Sequence, residues 1–320
     1  MSLPVTAYVI PPAEITDGTL LACNVPEPDV SKGEVIWDAT KNYAIGDVVI
    51  RTQTHKRYKA LVAGVSATPP ESSLVASGST PARWLQLGAT HRWSMFDRVI
   101  GTQTIDPGGH LTVDIAPGPA EGIALLELRG QRIKITVFES QAANAAVVKV
   151  IDVDIDGSVI ESVCDWFFNE YEQQRNFVSI DLPPWYWNAR VRVEIFGSSG
   201  AGVGVIAVGR LVPLGATLMG AGVGILNFGK VNTDDFGNRE WREGSFARRI
   251  TLPLLAERDA LSRLHRQLSS FRSMPVVYIG SVQRQLDAFV CYGVYKDLYI
   301  TVPNFPTVSM NLEIEGLNEV

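Results

Sequence analysis

Leu111-Thr112-Val113-Asp114-Ile115 alternates apolar and polar side chains with a period of two, and Ile133–Phe138 and Val191–Phe196 repeat the pattern. Successive side chains of a strand point to opposite faces, so this spacing buries one face and wets the other. Strands of that kind belong to antiparallel sheets packed on one side. Pro107-Gly108-Gly109, Pro117-Gly118-Pro119 and Pro183-Pro184 punctuate them as turns. No convincing amphipathic helix interrupts the run from Trp93 to about Leu214. Residues 89–214 are therefore expected to form an antiparallel β-sandwich of jelly-roll type.

The texture changes at 215. Leu261, Leu264, Leu268 and Phe271 recur at helical spacing with Arg258, Arg263, Arg266 and Gln267 between them, and Pro253 and Pro275 bracket the run. A helix is expected over about 254–272. Strands are expected around it at Val276–Ile279, Phe289–Tyr292, Leu298–Val302 and Ser309–Glu315, giving a small α+β assembly domain over 215–320. Residues 1–30 are proline-rich and read as an extended arm with one or two strands. The fold class is thus mainly β, with one clear helix.

Hydrophobic residues make up 46% and charged residues 19% of the 320, enough apolar material for real cores and too much for disorder. The net charge of −6 argues against a binder of the nucleic-acid backbone, which needs cationic contacts. Cys23, Cys164 and Cys291 lie too far apart to spell a disulfide framework or a zinc knuckle. No basic segment followed by an apolar run opens the chain, and no stretch of about 18 uncharged apolar residues occurs. The expectation is a soluble chain made in a cytoplasm, without membrane insertion.

Residues 31–88 are different again. Trp37, Tyr43, Tyr58 and Trp84 punctuate a short β-rich stretch too small for a large core, with Gly46-Asp47 before Val48-Val49-Ile50 and a Ser/Pro/Gly-rich tail at 69–81. Flat aromatic rings stack on the C–H face of a sugar, or on one another in a miniature core. Both uses stay open for these four residues. The pattern resembles the small chitin- and cellulose-binding modules of carbohydrate-binding families five and twelve. That resemblance implies a glycan platform built from Trp37, Tyr43, Tyr58 and Trp84.

Other motifs dissolve on inspection. Gly202-Val203-Gly204 fits a dinucleotide fingerprint by letter, but strand-like residues follow where a helix must start. Asp152-Val153-Asp154-Ile155-Asp156-Gly157 opens like a calcium loop, yet Val163 stands where the bidentate Glu belongs, so an exposed strand face is the better reading. Asp165, Glu170, Glu172 and Asp234-Asp235 are available carboxylates without a recognisable catalytic context, and His55, His91, His110 and His265 are scattered. No catalytic residue, metal or cofactor is expected. The aromatic runs 166–171 and Trp185-Tyr186-Trp187 read as core or inter-domain packing, with a second carbohydrate or partner platform as the minority reading.

From Trp93 to its end the chain resembles tail-tip or baseplate proteins of long-tailed bacteriophages. The segments that carry this are Trp93–Asp97, Gly209–Gly215, Asn232–Asn238, Tyr292–Asp297 and Leu312–Leu317. The resemblance implies a virion component at the tail tip, assembled in the host cytoplasm with other tail proteins and copies of itself, and contact with host-surface polysaccharide. A glycan-active hydrolase or its accessory protein is the alternative, and a subunit whose module binds nothing is a third.

Overall fold

The computed structural model describes residues 6–75, 81–155, 164, 173–233, 237, 239–281, 288–301 and 307–317. It is mainly β, with antiparallel sheets and a clear C-terminal helix.

The alternating strands build a sandwich. One sheet orders Val147–Asp154, Arg132–Phe138, Arg190–Phe196, His110–Ile115 and Leu20–Cys23. The facing sheet orders Phe177–Ser179, Gly122–Leu126 and Val205–Gly209. Leu111, Val113, Ile133, Ile135, Val193 and Ile195 meet Ile123, Leu125, Ile206 and Val208 in one core. Every residue of Gly122–Leu126 and Val205–Gly209 is buried. The second face of this short sheet packs Ala124, Leu126, Val205 and Ala207 on Ile10, Val277, Ile279 and Tyr292 of the C-terminal unit. Continuous apolar runs replace alternation where both faces lose water.

The C-terminal unit is a seven-stranded sheet that closes on itself. Val212–Thr217, Thr6–Ile10, Val276–Ile279, Val290–Thr301, Thr307–Gly316 and Phe246–Glu257 pair in that order, and Ala216 and Thr217 pair back with Leu255 and Leu254. Closure removes the exposed edges that an open sheet would present. The seventh strand, Gly222–Asn227, pairs with the other end of the long strand. The helix spans Leu261–Ser270 and buries Leu264, Leu268 and the following Phe271 among Val9, Leu254, Tyr278 and Met310.

That helix starts later than its sequence bracket. Leu252, Leu254 and Ala256 are buried at alternate positions of a twelve-residue strand, and Pro253 pairs with Asn311 inside it. A period of two won over the helical reading there. The N-terminal segment is likewise more integrated than an arm. Ala7, Val9 and Ile10 are fully buried in the closed sheet, and Leu20–Cys23 edges the sandwich. Gly209 permits the crossing between them, since a Cβ there would run into the Pro11 carbonyl.

Residues 31–88 form two small sheets, Asn42–Tyr43 with Gly64–Val65, and Val48–Arg51 with Lys56–Ala60 and Trp84–Ala89.

Candidate functional site

The four aromatic candidates of the module come together, but as a core. Tyr43, Tyr58 and Trp84 are each 2% exposed or less, and they pack with Val49 and Ala60. Tyr43 meets Trp84 edge to face with centroids 5.2 Å apart. The Trp84 indole N–H donates to Ser66 Oγ, and the Tyr43 hydroxyl donates to the Asp38 carbonyl. Trp37 is half-buried against this cluster, and the Arg51 guanidinium lies 4.8 Å from its ring centroid while pairing with Glu71. A glycan platform made of these residues is therefore corrected. A domain this small needs its largest rings inside, and three of the four have no face left for a ligand. Its exposed apolar side chains are aliphatic instead: Val48 and Leu85 flank Lys59 on adjacent strands, with Ile45 and Leu87 also exposed.

Sequence reading missed the junction that holds this module to the sandwich. Glu27, just before the module, accepts from the Thr90 hydroxyl at 2.7 Å and the Trp93 indole at 3.0 Å, and lies 3.0 Å from His55 Nδ1. The His55 ring stacks on Trp93 at 4.0 Å. Its Nε2 approaches Asp17 Oδ1 at 3.0 Å, off the line of a good hydrogen bond. A second set lies beside it. His91 Nε2 accepts from the Ile105 amide, so the ring proton is on Nδ1 and donates to Asp29 at 2.7 Å. Glu34 accepts from the backbone amides of Asp29 and His91. Burial pushes the Asp29 carboxyl up, but hydrogen bonds from Ser31 and His91 outweigh it and hold it below the usual range. The available signal was positional, since Glu27 and Asp29 precede the module, Glu34 opens it and His91 follows it.

A groove of about 670 Å³ runs along this junction, lined among others by Asp17, Gln53, His55, Gln86, Trp93 and Asp97. Three carboxylates line it, of which Glu14 is exposed. Asp17 faces His55, and Asp97 accepts from the Val99 amide and the Thr102 hydroxyl. Burial raises the Asp97 carboxyl. A smaller cleft of about 240 Å³ continues past Glu14 and Arg98 to Tyr292, whose phenol is pushed up by burial. Asp165, Glu170, Glu172 and Asp234-Asp235 lie outside the described residues, as do the aromatic run 166–171 and part of Asn232–Asn238. Asp152 and Asp154 occupy the exposed side of an edge strand, with Asp152 paired to Arg132; Asp156 is again outside the described residues. His110 stacks on Phe196, and His265 is on the exposed face of the helix.

An exposed apolar surface lies elsewhere among the described residues. Gly222–Asn227 leads into a second hairpin, Lys230–Thr233 with Arg239–Arg242, and every residue of the two hairpin strands is exposed. Ile225, Phe228, Val231 and Trp241 stand in water along this ribbon, Trp241 at 76% exposure. Gly244 lets its two chains cross, since a Cβ there would press on the Phe228 backbone.

No protein-family model matches the chain, and neither a curated protein nor a solved structure does.

Proposed function

We propose that this chain is a non-enzymatic structural subunit of a bacteriophage tail tip or baseplate that assembles with copies of itself and other tail proteins. The observation that carries the reading is the exposed ribbon of Gly222–Asn227, Lys230–Thr233 and Arg239–Arg242. A lone two-stranded hairpin is marginally stable in water. This one exposes Val231 and Trp241 and continues from Ile225 and Phe228, also exposed, which suits it to a neighbouring surface. The closed sheet beside it supplies a rigid base. The placement at a tail tip rests on the resemblance of Gly209–Gly215, Tyr292–Asp297 and Leu312–Leu317 to such proteins.

In this reading the module at 31–88 is a docking unit that contacts a neighbour through Ile45, Val48, Leu85 and Leu87. Its rings serve its own core. The chain is a virion component, put together in the host cytoplasm. Imaging purified particles with an antibody against residues 31–88 tests the placement. Label at the distal end of the tail is expected, and label elsewhere contradicts it.

A further inference from the structure

The sandwich carries a second aromatic feature that neither its core nor the ribbon uses. Residues 180–189 join Phe177–Ser179 to Arg190–Phe196. Leu182 and Ala189 are buried toward the two ends of this loop, and Tyr186 packs on the sandwich core. Pro183-Pro184 fixes two backbone torsions between those anchors. Trp185 and Trp187 nevertheless stand 71% and 70% exposed. A stiff, anchored loop that holds two indoles in water is not core packing.

We infer that this loop is a saccharide-binding platform, and that its ligand is a polysaccharide strand. A pyranose ring offers an apolar face of C–H groups that lies flat on an indole, and a rim of hydroxyls that needs donors and acceptors. The loop provides both. The Arg210 guanidinium sits 5.6 Å from the Trp187 ring centroid. The Asp181 side chain is 88% exposed while pairing with Lys149, and the Asn188 side chain is exposed as well. Trp185 and Trp187, with one residue between them, offer two rings where a single sugar would occupy one. The exposed polar company of Asp181, Asn188 and Arg210 suits the hydroxyl rim of a sugar, and a protein neighbour, which also favours Trp beside Arg, is the outcome the test separates. Rings held by proline and by buried neighbours also lose little freedom when a ligand arrives. The platform lies outside the ribbon and the module, so it stands or falls separately from the assembly reading.

The test is retention of the full chain on insoluble chitin, cellulose, peptidoglycan sacculi and immobilised lipopolysaccharide. Retention on at least one matrix is expected, reduced about tenfold or more by Trp185→Ala with Trp187→Ala. Circular dichroism of the double variant should be unchanged, because neither ring is in the core. Trp37→Ala should bind like the wild type. No retention on any matrix overturns the proposal, and so does undiminished retention of the double variant. A double variant that changes oligomeric mass but keeps its retention assigns the loop to a protein neighbour, which also overturns it.

Discussion

The Glu27 carboxylate lies 3.0 Å from His55 Nδ1, and through this contact a segment ahead of the module grips a turn inside it. Glu27 also accepts from Thr90 and Trp93, so one buried side chain joins three parts of the chain. Removing a carboxylate with that many buried donors leaves them unpaired. Glu27→Ala should therefore destabilise the fold by about 2–4 kcal/mol. Urea unfolding followed by tryptophan fluorescence checks it. His55→Ala should also destabilise, through loss of the stack on Trp93.

Asp29 and Asp97 should give opposite pH dependences. Asp29 titrates lower in the folded chain than in the unfolded one, so its ionised form stabilises. That contribution is complete above the ordinary aspartate value of about 3.9 and is lost as pH falls through the depressed folded value. Asp97 titrates higher when folded. Its contribution is complete below about 3.9 and is lost as pH rises through the raised folded value. Urea midpoints across acidic pH should lose part of the low-pH slope in Asp29→Asn. In Asp97→Asn they should lose an opposing slope just above it.

Trp84→Ala should unfold the module. Its indole is 1% exposed, edge to face with Tyr43 and bonded to Ser66. A loss of about 3–5 kcal/mol exceeds what so small a core retains. Limited proteolysis should cut within 31–88 while the sandwich survives. Trp37→Ala, half-buried under Arg51, should leave the module folded.

Gly209→Ala should destabilise by about 1–3 kcal/mol, because the added Cβ meets the Pro11 carbonyl in a packed crossing. Hydrogen exchange should report the opening at Thr6–Ile10 and Val205–Gly209 first.

What could be read from the sequence followed the strength of each local signal. Alternation at 111–115, 133–138 and 191–196 marked the sandwich because its core-facing residues are buried at every second position. Even there Asp114, on the side assigned to water, is buried and pairs with Arg192 through both oxygens. The strand Thr6–Ile10 was obscured by its flanking prolines and by partners more than 200 residues away. The helix start was displaced because Pro253 reads as a helix signal while the leucines around it follow a strand. The module's rings could not be sorted by composition, since a stacking platform and a miniature core use the same residues. The run Trp185-Tyr186-Trp187 reads as packing, and of the three the half-buried Tyr186 fits that role.

Self-assembly through the ribbon is the central claim, and sedimentation of the full chain tests it most directly. A species heavier than one chain should appear as concentration rises, and Ile225→Asp with Trp241→Ala should return it to a monomer of unchanged circular dichroism. A wild-type chain that stays monomeric at every concentration would contradict the account.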